Sequence, residues 1–402
     1  MTIGKGAAKT VAYKKETTFG TLAGAASAKY LRRVTSAMSL KKEQYESAEI
    51  RVDRQTADAR HGVRSAEGSL NGELSPSSYS DFMQAILARD FTTGAVTATM
   101  SVTIAASGSF WTVTRATGSF LTDNFNVGKV IALTGGALNV LNVSKNLLIV
   151  SMTATVLTVK VLNNTALLAE GPIASVIATV RGKDTFVPLT GHTDQSFTIE
   201  EFYSDIAQSE VYVGMKTTSM NTQLPATGLA TVDFSFMGAD LGQVGTSQYF
   251  TSPTAQGTNG IFASVQGAVL VNGLAAALIT SADFNVERAT ENAVVVGSNA
   301  VQDIFTGRIK ATGNLSVYFQ DAVFRDYFKD ETEVSLVFAL ATSDAANADF
   351  VSYTIPRVKL GSFDKTDGEL GLTASTSFTA LLNSVTTGGL PATTLAVQDS
   401  TL

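Results

Sequence analysis

Two histidines, His61 and His192, are the chain's whole supply of imidazole, and there is no cysteine. Zinc and thiolate chemistry need several such ligands to converge, and neither histidine has a second His or Cys at motif spacing. His61 follows Arg60 inside a charged segment, which suits a surface position. His192, in Leu189-Thr-Gly-His-Thr-Asp194, has a single nearby carboxylate. Gly4-Lys-Gly-Ala-Ala-Lys9-Thr10 has the composition of a phosphate loop. No glycine precedes Lys9 at the required place and no strand leads in, so the backbone cradle is not made. A Ser–His–Asp arrangement lacks a nucleophile elbow. Thr342-Ser-Asp344-Ala-Ala-Asn347-Ala-Asp349 lacks the spacing of a calcium loop, and Trp111 suits a core better than a sugar-stacking platform. No catalytic residue, metal ligand or cofactor is therefore expected, and the chain is not expected to be an enzyme.

The elements available to position side chains are mainly β. The 402 residues are 45% apolar and 16% charged, with a net charge of −6. This is enough apolar material for two or three cores, and it excludes general disorder and a basic nucleic-acid wrap. Thr231–Phe236 and Leu372–Phe378 alternate with period two, and Val269-Leu-Val-Asn272-Gly273-Leu-Ala reads as a hairpin on a type I′ turn. Two helices are expected. One has Ser75 as cap, Pro76 in its first turn and a stripe of Tyr79, Phe82, Met83, Ile86 and Leu87; the other spans Asp321–Phe328. The first ten residues lack the apolar stretch of a secretory signal. The apolar run Ala268–Ile279 is too short to span a bilayer, so a soluble product folded in a cytoplasm is expected.

The sequence also matches itself. Sliding it by 245 positions aligns 35–83 with 280–328 without a gap and gives 11 identities in 49 positions. Among them are Thr35/Thr280, Ser36/Ser281, Ala37/Ala282, Ala66/Ala311, Gly68/Gly313 and Leu70/Leu315. Composition alone would give roughly three or four. Ser196–Ile199 and Ser352–Ile355 continue the match after each helix, but the first copy is 89 residues longer there. The excess falls at about 93–182 and contains short strands sufficient for a small β-barrel or sandwich. A long surface insertion costs little closure entropy, so a separate, outward-facing module is expected.

Between strand and helix each copy carries a charged arm. In the first copy it holds Lys41, Lys42, Glu43, Glu46, Glu49, Arg51, Asp53, Arg54, Asp58 and Arg60. In the second it holds Glu287, Arg288, Glu291 and Asp303. Elsewhere charge is sparse; the arm reads either as a solvated hairpin or as an extended arm whose mixed signs make ion pairs with another subunit, which fix register more than they add stability.

The order of these features resembles the major tail tube proteins of long-tailed, non-contractile bacteriophages. The resemblance rests on Val11-Ala-Tyr-Lys-Lys-Glu-Thr-Thr-Phe-Gly-Thr21, the first arm and helix, Val271-Asn-Gly273 before the second arm, and an insert with Trp111, Gly118–Asp123 and Asn146-Leu-Leu. It covers nearly the whole chain. The resemblance implies a virion protein with two tandem tube-like β-sandwich or barrel domains, each flanked by a helix. The expected boundaries are 1–92 with 183–240, and 241–402, around a small β-barrel or Ig-like insert at 93–182. It further implies stacked rings around a lumen that conducts genomic DNA without binding it specifically, arms reaching between rings, and, for a doubled chain, three copies per pseudo-sixfold ring. The implied partners are other copies of the chain and the tape-measure, tail-tip and tail-terminator proteins. The implied place is a virion tail assembled in a bacterial host's cytoplasm, with no membrane. The competing expectation is a β-rich adhesin or decoration protein that binds a carbohydrate or cell surface; the absence of a signal and of disulfides argues against it.

Overall fold

In the computed structural model, residues 3–163, 166–275, 279–367, 369, 371–384 and 387–402 are described. Met1 and Thr2, and Ala276–Leu278 of the apolar run, lie outside them. The chain is mainly β. It begins with β1 (Lys9–Lys15), β2 (Lys29–Tyr30), β3 (Thr35–Glu46), β4 (Ala59–Glu73), helix α1 (Ser80–Leu87) and a short β5 (Thr92–Thr93). Then come β6 (Met100–Ser107), β7 (Phe110–Arg115), β8 (Val130–Gly135), β9 (Leu147–Met152), β10 (Val156–Val161) and β11 (Glu170–Val180), which close into a six-stranded barrel. The chain returns through β12 (Lys183–Phe186), β13 (Phe197–Tyr203), β14 (Gln208–Pro225), β15 (Thr231–Gly238) and β16 (Asp240–Gly245). It continues with β17 (Gly267–Val271), β18 (Leu274–Ala275), β19 (Ile279–Ala293), β20 (Asp303–Tyr318) and helix α2 (Val323–Lys329). Last are β21 (Val334–Ala341), β22 (Phe350–Leu360), β23 (Asp364–Lys365), β24 (Thr373–Ala380) and β25 (Ala396–Asp399).

The same pairings occur in both halves. β1 pairs with β2 and β13 as β17 pairs with β18 and β21. β4 lies between β3 and β15 as β20 lies between β19 and β24. β14 and β22 are long strands that leave one layer and enter the other, and a bulge breaks their pairing with the preceding strand at matching places, Phe197/Ile199 and Val334/Leu336. The halves are then joined edge to edge, because β14 also pairs with β19 from Ser219↔Glu287 to Pro225↔Ser281. One antiparallel sheet therefore runs β3–β4–β15–β14–β19–β20–β24–β22.

Alternation places Leu70, Phe234, Phe236, Met220, Phe284 and Leu315 on the inner face of this sheet, all buried. In the first half the core closes on α1, whose Phe82 packs 4.8 Å from Tyr13 and 5.1 Å from both Phe197 and Phe236. Helix α1 starts later than its sequence suggests. Ser77 takes a left-handed conformation and its N–H donates to the Asp399 carboxylate, so Ser75 and Pro76 sit in the turn before the helix. Its stripe is buried, whereas α2 leaves Val323 and Phe328 exposed. The turn at Asn272-Gly273 has both φ positive, as a type I′ hairpin needs.

The gapless alignment of the halves does not hold throughout. Gly68/Gly313 and Leu70/Leu315 occupy matching places, each glycine paired with a phenylalanine, Phe236 or Phe378. β19, however, is shifted by one residue relative to β3: Met38 pairs with Gly68, and Phe284 pairs with Gly313. Since one residue inverts a strand's faces, Ala37 is exposed and Ala282 buried, and their identity is not a shared position.

The barrel has its own core, with Val113, Phe120, Phe125, Ile149, Leu157 and Val176 inside and Trp111 packed at its margin. It is also fastened to the second half. Val130, Leu148 and Val150 pack against Leu270, Val337 and Phe350, and the Gln398 amide bonds both the N–H and the carbonyl of Val130.

Candidate assembly edges and channel face

The outer face of the long sheet is polar across its width. A row of directly opposed residues runs Thr35–Asn71–Asp233–Asn221–Asn285–Thr312–Thr379, crossing from β3 to β24 without an apolar side chain. Cross-strand amide–carboxylate bonds tie it together: Asn71 Nδ2 donates to Asp233 at 2.6 Å, and Asn314 Nδ2 to Asp283 at 3.0 Å. Below the arms, Glu67, Glu73, Asp233, Asp283, Glu287 and Asp364 stand on this face against Lys41, Lys310 and Lys359, the last directly opposite Thr379. Lys41 is itself paired with Glu67 at 2.9 Å. A face with this charge balance offers hydrogen bonds to water and little attraction to phosphate.

The sheet ends in two open edges. Among the described residues, β3 pairs only with β4, and the stretch from Lys359 through Lys365 pairs only with β24. Open edges attract pairing, and the β3 edge is partly guarded. The Ser36 and Met38 carbonyls of β3 accept from Lys9 Nζ at 2.9 Å and the Tyr212 hydroxyl at 3.3 Å. Pro356 lies within β22 at the bulge against β21, just before the open stretch begins.

The arms are the ends of the β3/β4 and β19/β20 hairpins, and they divide the sequence-selected residues into two groups. In the first arm Arg51 pairs with Asp53 and Arg60 with Asp58, each at 2.8 Å, and Glu43 accepts from the Tyr45 hydroxyl. Lys42, Glu46, Glu49 and Arg54 are exposed beside them, as is His61. In the second arm, Glu287 and Glu291 are exposed, but Arg288 and Asp303 are engaged inside the chain. Lys216, only 5% exposed, lies 2.5 Å from Asp194 and 2.9 Å from Asp303, and Arg288 lies 3.3 Å from Asp194. Burial pulls the Arg288 guanidinium below its usual range, against the attraction of Asp194. The two arms touch as well: Arg64 donates its N–H to the Asn299 carbonyl at 2.8 Å.

The arms are charged along their length, but their tips are apolar. Ile50 and Val52 are 99% and 105% exposed, and Val296 is 106% exposed. An alternation count finds no core for these residues, which is the signal available in the sequence. The polar row and the two edges left no local sequence signal, since they depend on which strands become neighbours. The remaining candidates do not converge. His192 is exposed, and the Asp344–Asp349 loop serves the barrel, its Ala346 and Ala348 carbonyls accepting from Asn146. Among the described residues no group of His, Asp or Glu is placed to hold a metal ion, and no helix is long and apolar enough to cross a membrane.

A family profile described as phage tail tube protein matches residues 6–397. The chain belongs to the phage tail tube protein family. Among curated proteins no match is found. Membership gives the mainly β chain a structural role in a phage tail, and the match runs through both hairpin–helix units and the barrel between them.

Proposed function

We propose that this chain is the wall subunit of a tail tube, and that the polar outer face of its long sheet lines the channel through which genomic DNA passes. The carrying observation is that face itself: an unbroken polar row, acidic on balance, bounded by two open strand edges. Side-by-side pairing of chains removes both edges and continues the face around a bore, as closure does in any barrel. The repeated order of pairings in the two halves supports descent by doubling of one tube domain, and with it a ring of three chains. Rings stack, and the outer part of the exposed first arm, with Glu46, Glu49 and Arg54, together with the apolar tips, reaches the neighbouring ring, while Lys42 at the base of the arm faces the side-by-side neighbour. The tape-measure, tail-tip and terminator proteins are the partners that such a tube requires, and assembly takes place in the host cytoplasm. Carboxylates and amides along the bore keep DNA moving, because no lysine or arginine ladder is there to hold phosphates.

Electron microscopy of the purified chain tests this reading. Rings or tubes with a central channel of duplex width are expected, with the β3–β24 face inward. A monomer at high concentration with no polymer under any condition, or a polymer with that face outward, contradicts it.

A further inference from the structure

Resting on the tube reading, we infer that the seam between chains copies the seam inside the chain, with a second copy of this protein as the occupant of the open edge at Lys359–Lys365. The inner seam has two parts. β14 pairs with β19, and Asn221 stands directly opposite Asn285. Beside that pairing, Lys216 and Asp194 meet Asp303 and Arg288 from the other half.

Half of this arrangement recurs at the free edge. Lys216 follows Tyr212, and Lys359 follows Ile355, by the same number of residues; Tyr212 and Ile355 are the partners of Ile199 and Leu336. Asp194 precedes Ile199 as Glu331 precedes Leu336. The contact is kept as well: Lys359 lies 2.5 Å from Glu331, as Lys216 does from Asp194. The two sites differ in what covers them. Lys216 is 5% exposed, and the Lys359 side chain is 44% exposed.

The missing half is present on the first arm. Asp303 opens β20, and Asp58 stands immediately before β4, the equivalent strand. With the one-residue shift between β3 and β19, Arg288 corresponds to Lys42. Asp58 and Lys42 are both exposed. Seating β3 of a second copy on the edge, in the register of the inner seam, sets Ser39 of that copy opposite Asp364. It also brings Asp58 of that copy to Lys359 and Lys42 of that copy to Glu331. Each charge then meets its opposite, and the registers that slip by one or two residues do not provide this.

Because the chain has no cysteine, engineered thiols report the seam directly. Assembled Ser39→Cys/Asp364→Cys protein, treated with oxidised glutathione, is expected to give covalent multimers. Thr35→Cys/Asp364→Cys is expected to give none, and Asn221→Cys/Asn285→Cys is expected to close within one chain. A charge exchange provides the second measurement. Lys359→Glu with Glu331→Lys keeps the pair inside the chain but presents wrong signs to the neighbour, so the concentration needed for assembly should rise at least about tenfold. Adding Asp58→Lys with Lys42→Glu should restore it. Tubes that form without the Ser39–Asp364 cross-link, or an exchange that the second pair does not rescue, overturn this seam and leave the tube reading standing. An unmodified chain that never assembles removes both.

Discussion

Lys216 and Lys359 show how one residue type at matching places carries different weight. Lys216 is buried against two carboxylates and the Ile304 carbonyl, with the Phe19 ring 4.8 Å away. Replacing it with Met leaves those acceptors without their donor, and a loss of about 1–3 kcal/mol in denaturant unfolding is expected. Lys359→Met in the isolated chain is expected to stay within about 0.5 kcal/mol, because both members of its pair are solvated. Equal losses in the isolated chain would mean that the two sites are alike without a neighbour. Little at this scale was legible beforehand. The excess of charge in the arms is visible in the sequence, but Arg288 and Asp303 look as exposed there as Glu287 and Glu291. Only the docking of the arm's base on Lys216 and Asp194 separates them.

At the scale of elements, the sequence was most informative where alternation and turn chemistry act locally. The Asn272-Gly273 hairpin and the stripe of α1 follow from such rules. The shift of β19 against β3 does not, since register is set by bulges and by the partner strand. The paired glycines mark where the two halves do agree. A Cβ at Gly313 would lie 2.2 Å from the Asp283 carbonyl oxygen and 2.5 Å from the Phe378 ring, whereas at Gly68 it would first meet the Met38 sulfur. A backbone oxygen cannot swing aside and a thioether can. Gly313→Ala should therefore cost about 1–3 kcal/mol, and Gly68→Ala distinctly less, in chemical denaturation. Reversal of that order would show that the strand spacing, not the side chain beneath, decides tolerance at these positions.

For the whole molecule, the 89-residue excess rests on matching Ser196–Ile199 with Ser352–Ile355, whereas the pairings make Leu336, not Ile355, the counterpart of Ile199. The bounds 93–182 therefore stay a proposal, and the attachment of the insert left no signal in the sequence. A pendant module at 93–182 would be removable without consequence for assembly. The barrel instead covers Leu270, Val337, Ala339 and Phe350. Clean deletion of 93–182 is therefore expected to yield aggregated protein. Deletion combined with Leu270→Thr, Val337→Thr and Phe350→Ser should return soluble, assembling chain in size-exclusion chromatography. Aggregation that persists after these changes would place the barrel's contribution elsewhere. The strand contact between β14 and β19 has a kinetic corollary. In the closed ring proposed above, every second joint would already be made when synthesis ends, under the high local concentration of a tether. Such a ring would form in fewer collisions, so its rate should climb less steeply with concentration than it would for a single-unit subunit, and partly built arcs should be correspondingly scarce.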